Sequence, residues 1–235
     1  MTRWLLPLAA GFAVLALLLL LAAPVGARLA LWDFRAGFTL LRWGAYVGLA
    51  AMVAALVAGI VTRRWLLVGL LVAGGAIAAA IPWTWAQRAR AVPPIHDITT
   101  DPDNPPPFVA IVPLRADAPN PVAYPGEETA VLQRQAYPDL RPLRLEVPPA
   151  QAFARARAAA ETLGWTVVAA EPAEGRLEAT ATTFWFRFAD DVVVRVAASD
   201  GGTVVDVRSK SRVGRSDVGT NARRIREFLA LVAAG

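Results

Sequence analysis

Three serines, a pair of carboxylates and a run of cationic side chains near the C-terminus are the residues best suited to chemistry. From Val204 to Phe228 the chain reads VVDVRSKSRVGRSDVGTNARRIREF, with seven basic side chains between Arg208 and Arg226. Ser209, Ser211 and Ser216 are nucleophiles only with a base beside them. The single histidine, His96, is remote in sequence, and Lys210 follows Ser209 directly. Neighbours on a strand point to opposite faces, so these two form no local dyad. A Ser/Lys or carboxylate-based hydrolase would have to be assembled from distant groups. The alternative to a binding role is an enzyme acting on an envelope or lipid substrate, with its site around Arg212, Ser216, Asp217 and Asn221. Asp190-Asp191 reads as a turn leading into Val192, in preference to a catalytic pair. No catalytic residue, metal or cofactor is assigned.

Ser216 and Asp217 stand ahead of a helical pattern and suit the free N–H groups of its first turn, while Gly214 and Gly219 ease a tight approach. The same helix start, beside Arg212 and Arg215, suits phosphate or carboxylate. On the preceding strand Asp206, Arg208, Lys210 and Arg212 share one face, and Val205, Val207, Ser209 and Ser211 share the other. Arg208, Lys210, Arg212, Arg215, Ser216, Asp217, Asn221 and Arg224 therefore make up a candidate surface for an anion or a partner. Its partner is either an acidic segment of the same chain or the head groups of anionic lipid. His96, Asp97, Asp101, Asp103 and Asn104 resemble a metal loop, but prolines interrupt them and the turn glycine that calcium loops use is missing. Asx-turns in a Pro-rich segment explain them more simply.

The elements that position these groups follow from composition. The 235 residues are 56% hydrophobic and carry a net charge of +5. Residues 1–90 hold +7 and residues 91–235 hold −2, so the overall basicity belongs to the apolar part and gives no argument for nucleic acid. With no cysteine, disulfides, zinc–thiolate sites and a lipidated cysteine anchor are excluded.

Arginines bracket three uncharged stretches, Trp4–Ala27, Trp43–Thr62 and Trp65–Gln87, each supplying the roughly 20 apolar residues that a helix needs to cross a bilayer. Val25-Gly26-Ala27 resembles a cleavage site, but the apolar run is too long for a signal core and two more spans follow, so retention is expected. The Arg28–Arg42 connector places Arg28, Arg35 and Arg42 on one helical face and reads as a helix in the interface plane, with a collapsed loop of snorkelling arginines as the alternative. No ionisable side chain lies inside a span, which argues for an anchor over a transporter or channel. Gly44 and Gly48 allow close helix approach and an oligomer through that face.

Residues 91–140 change abruptly to a Pro-rich, acidic stretch with eleven prolines, expected as an extended tether without helix or central strand. Beyond it, Arg141–Val147 alternates as a strand and Pro148-Pro149 opens a helix that Gly164 stops. Strands follow at Trp165–Ala170, Arg176–Thr183, Asp191–Ala198 and Thr203–Ser211, then a helix at Asp217–Val232 with Arg223, Arg224 and Arg226 outward. The expected fold of residues 141–235 is a β-α-β-β-β-β-α two-layer α+β sandwich on an antiparallel sheet.

IHDITTDPDNPPPFV at Ile95–Val109, GWTVVAAEPAEGRLEAT at Gly164–Thr180, DDVVVRV at Asp190–Val196 and the closing motif resemble domain-of-unknown-function family 1499, over about His96 to Val232. The resemblance implies no activity, cofactor or catalytic residue. Some members look like envelope lipoproteins; this chain has no lipid-accepting cysteine, so its spans would replace that anchor. Counting positive charges around the spans narrowly favours an inward-facing domain, whereas the resemblance favours the periplasm. The expectation is a multi-pass inner-membrane envelope protein with a periplasmic domain, a non-enzymatic binding or structural module whose partners are the bilayer and an anionic lipid or protein.

Overall fold

The computed structural model describes residues 4–235; Arg3, which enters the charge count above, lies outside them. The chain forms two compact units, one built on residues 1–90 together with 185–187 and one on residues 91–184 and 188–235.

The first unit is three helices: α1 (Leu5–Arg28), α2 (Phe34–Thr62) and α3 (Trp65–Ala91). All three are long and apolar enough to cross a membrane. They meet through small residues, including Ala9, Ala13 and Ala16 on α1, Gly48 and Ala55 on α2, and Gly75 and Ala78 on α3. A Cβ on Gly48 would lie 2.6 Å from the Gly75 carbonyl oxygen, and one on Gly44 would lie 3.3 Å from that of Ala16. Both glycines are thus used for helix contacts within one chain. The connector differs from the in-plane segment expected over 28–42. Arg28 closes α1 and residues 34–42 are the opening turns of α2, because the Asp33 side chain accepts from Ala36 N at 2.9 Å and starts the helix there.

The second unit contains β1 (Asp97–Thr99), α4 (Glu127–Ala136), β2 (Leu143–Leu145), α5 (Pro149–Thr162), β3 (Thr166–Glu171), β4 (Arg176–Thr182), β5 (Ala189–Ser199), β6 (Gly202–Ser211) and α6 (Thr220–Ala234). From β2 onward the order is the expected β-α-β-β-β-β-α, and every strand pairing is antiparallel. The sheet runs β1-β6-β5-β4-β3, with β2 also on β6. β-Branched runs such as Val192–Val194 favour the pleated, buried strand, and Pro149 suits the first turn of α5 because its missing N–H is unpaired there anyway.

One sheet face packs on α5 and α6. Val192, Val194, Val205 and Val207 meet Phe153, Ala156, Ile225 and Phe228, and Trp165 stacks on Phe228 with ring centroids 5.1 Å apart. Each fully buried large apolar side chain contributes roughly 1.5–3 kcal/mol.

Residues 95–140 differ from the expected tether. They fold onto the domain, supplying edge strand β1, the short 3-10 turn Val112–Arg115 and α4. The ten residues of α4 lie between Pro125 and Pro138 and contain no proline, so a helix fits where the surrounding composition argues against one. Gln133 on α4 grips the free edge of β1. It accepts from Thr99 N at 2.9 Å and donates to Thr99 O at 2.6 Å. Phe108 and Ile111 pack with Val193 on the sheet face away from α5 and α6.

Asp190 and Asp191 also differ from expectation. They belong to β5, both are buried, and the strand pleat sends them to opposite faces.

Candidate functional site

On the face away from the helices, β6 presents Asp206, Arg208 and Lys210 as its alternation requires, and Arg212, just past its end, continues the row. The segment before α4 covers that face and supplies Asp97 as the counter-charge of Arg208 and Lys210. Arg208 forks onto Asp97, with Nε donating to Oδ1 and Nη2 to Oδ2, both at 2.9 Å. Its remaining bonds go to the carbonyls of Pro106 at 3.2 Å and Val122 at 2.9 Å. Lys210 Nζ donates to Asp97 Oδ2 at 2.8 Å and to Ala123 O at 2.7 Å.

Arg212 forks onto Asp191 at 2.8 and 2.9 Å, and Arg115 reaches the same carboxylate at 2.6 Å. Asp206 accepts from Arg195. Glu178, fully buried on β4, accepts from the backbone N–H groups of Val109, Ala110 and Ile111 and from Arg176. Arg208 is 3% exposed and Lys210 0%. Their charge is met inside the chain, by the acidic segment that the sequence offers as one of two partners.

Such burial shifts the titrating groups. Desolvation pulls the Lys210 ammonium below its ordinary value against the attraction of Asp97. Desolvation and the nearby Asp97 carboxylate push the Tyr124 phenol up to about 12.

A second network lies on the helix-covered face. Ser209 Oγ donates to Asn221 Oδ1 at 2.7 Å, and Asn221 Nδ2 donates to His96 O at 3.0 Å and Ser211 Oγ at 3.1 Å. Arg224 bonds Ser209 and Asn221 and reaches Asp190 Oδ2 at 2.7 Å. Arg224 is therefore not outward with Arg223 and Arg226. Three residues after Asn221 it lies on the inner face of α6, where the Asp190 carboxylate waits.

Asp217 caps α6, although the helix begins only at Thr220. Its carboxylate accepts from Gly219 N at 2.9 Å and Asn221 N at 2.7 Å, while its own N–H donates to Ile95 O at 3.2 Å. Burial raises its pKa, and the two backbone donors oppose the shift. Ser216 Oγ accepts from Val218 N at 3.2 Å. Arg215 is exposed. Its carbonyl lies 3.5 Å from His96 Nδ1, and burial, together with Lys210, lowers the His96 pKa.

The eight sequence-selected residues thus fall into different settings. Arg208, Lys210 and Arg212 join the carboxylate network on one face. Ser216, Asp217, Asn221 and Arg224 join the α6 network on the other, and Arg215 stands at the surface. Chemically, the second network holds the chain from Ile95 to Asp97 against β6 and α6, with Ser211 N adding a bond to His96 O at 2.9 Å.

Sequence reasoning passed over Glu178, read Asp191 as part of a turn, and weighed Asp97 as a metal ligand or as one acid of a segment facing the basic patch, without singling out Arg115. Their common signal was charge inside otherwise apolar or β-branched runs, which demands a buried partner. Among the described residues, no group of three or more His, Asp or Glu is arranged to hold a metal ion.

Beside the first network an open groove of about 270 Å³ is lined by Pro105, Pro107, Phe108, Val122, Ala123, Tyr124 and Arg208. The Arg208 guanidinium lies 4.8 Å from the Phe108 ring centre and 5.4 Å from that of Tyr124. The Tyr124 hydroxyl is buried with no hydrogen-bond partner among the described residues.

No curated protein and no solved structure matches the chain. Residues 97–232, more than half of its length, match the family described as protein of unknown function, DUF1499, and the protein belongs to that family.

Proposed function

We propose that this is a non-enzymatic, multi-pass inner-membrane protein of a bacterial-type envelope, whose periplasmic C-terminal domain binds a protein partner through the Phe108–Tyr124–Arg208 groove. The groove's composition carries this reading. Arg208 donates to Asp97, Pro106 and Val122, so an incoming anion finds its charge already answered. What remains is the flat guanidinium beside two aromatic rings and proline walls. That combination suits an apolar or aromatic side chain. The engagement of Ser209, Ser211, Asp217, Asn221 and Arg224 in holding Ile95–Asp97 supports a structural role for the closing motif.

Site-specific photocross-linking in intact cells tests the binding claim. A photoreactive residue replacing Val122 is expected to give a discrete protein adduct that the same residue at Asp200 does not. No adduct, or the same pattern from both positions, overturns it. Protease cleavage of the C-terminal domain after outer-membrane permeabilisation alone supports the periplasmic placement; cleavage only after the inner membrane is opened contradicts it.

A further inference from the structure

We propose that the β4–β5 hairpin, Thr183–Phe188, is a second membrane contact, with Phe184 and Trp185 lying in the interfacial layer of the bilayer that α1, α2 and α3 cross. The hairpin reads Thr183-Phe184-Trp185-Phe186-Arg187-Phe188. Solvent-facing turns draw on Gly, Asn, Asp, Ser and Pro. The β5–β6 turn follows that rule with Asp200-Gly201, Gly201 taking φ +83°. Thr183–Phe188 instead carries four aromatic side chains and an arginine, with Phe184 71% and Trp185 53% exposed. The loop is anchored at its base, where Thr183 N donates to Phe188 O and Thr183 Oγ1 accepts from Phe188 N, both at 2.9 Å. Large exposed aromatics on a closed loop mark a contact surface.

The sheet register selects the occupant. Thr182 pairs with Ala189 at the hairpin base, and Asp190 pairs with Ser211 at the C-terminal end of β6. At that same end β1 begins, with Asp97 opposite Lys210. Ser211 N donates to His96 O and Arg212 N to Ala189 O, so the last residue of β6 and the one after it hold the start of β1 and the start of β5.

The hairpin and the point where the chain enters the domain therefore share one end of the sheet, and Asp200-Gly201 lies at the other. Helix α3 ends at Ala91 and Ile95 is already in the domain core. Four residue steps reach about 14 Å at most. The covalent link between α3 and the entry end of the sheet is thus short. Trp and Phe favour the interfacial layer, and Arg187 can keep its charge among head-group phosphates.

The chain has no cysteine, so labels can be placed singly. Full-length W185C and D200C proteins, each carrying one environment-sensitive fluorophore, are reconstituted into phosphatidylcholine/phosphatidylglycerol vesicles with or without lipids bearing a shallow quencher. A thermal transition matching the unsubstituted protein shows that each variant is folded; F184C serves as the second position if W185C is not. The expected result is a blue-shifted label at 185 that is quenched by the lipid and is several-fold less sensitive to aqueous iodide than the label at 200. Equal iodide quenching at both positions overturns the proposal. A label at 185 shielded from iodide but untouched by the lipid quencher also overturns it, because protein then covers the hairpin.

Discussion

Lys210 and Asp97 form a 2.8 Å ion pair in which both side chains are fully buried, joining the last strand of the sheet to the first. Asp97 also receives the Arg208 fork. One carboxylate therefore neutralises two cations at the entry to the domain. A buried ion pair adds little over a well-packed apolar replacement, but removing one partner strands the other's charge.

Replacing that carboxylate should be the most damaging single change in the network. D97A is expected to lower stability by about 3–5 kcal/mol. K210M, which leaves Asp97 paired with Arg208, should lower it less. Thermal unfolding of the detergent-purified full chain, followed by near-ultraviolet circular dichroism, checks the order; equal transitions for both variants would refute it.

Glu178 organises the turn that covers the sheet. Its carboxylate accepts from three successive backbone N–H groups, Val109 to Ile111, and is paired with Arg176. E178A leaves buried donors unanswered, at about 1–3 kcal/mol. The expected result is faster limited proteolysis within residues 100–125, with the α5–α6 side of the domain still resistant. Cleavage at the wild-type rate would contradict this role.

His96 gives a pH dependence whose sign is fixed. Its folded pKa lies below 6.5 because of burial and the positive Lys210 and Arg115, with Asp97 and the Arg215 carbonyl opposing. Between the lowered value and 6.5 the unfolded chain binds more protons, so stability falls as pH drops through that window. H96Q should flatten the melting-temperature profile just below pH 6.5. Asp217, with a raised pKa, contributes the opposite slope from 3.8 upward, so that window should be read separately.

In the helical unit, Gly48 and Gly75 lie backbone to backbone. A Cβ on Gly48 would come within 2.6 Å of a carbonyl oxygen, which cannot swing away like a flexible side chain. G48L should destabilise by about 1–3 kcal/mol through overpacking. G69L, at a position with nothing within 4 Å of an added Cβ, should be nearly neutral. The difference between the two melting temperatures checks it.

The sequence made the three helices and the α+β order readable because apolar length, alternation and turn residues act locally. It placed Asp206, Arg208, Lys210 and Arg212 on one strand face for the same reason. What covers that face was less legible. Eleven prolines suggested an extended tether, yet a proline-rich backbone can lie against a sheet when side chains such as Phe108 and Ile111 bury themselves and Glu178 caps the turn. Arg224 showed the limit of helical periodicity, which cannot reveal that Asp190 waits on the inner face. Nor could local reading see that Asp97, the first residue of the family-matched region, pairs with residues more than a hundred positions away.

The central claim is that the closing motif locks the segment Ile95–Asp97 onto the domain. Hydrogen–deuterium exchange of the full chain in nanodiscs, wild type against N221A, tests it most directly. Asn221 holds the His96 carbonyl and Ser211 and accepts from Ser209 and Arg224. The lock predicts lost protection at residues 95–100 and in the first turn of α6, with Val192–Val196 still protected. Unchanged exchange at residues 95–100 in N221A would contradict it.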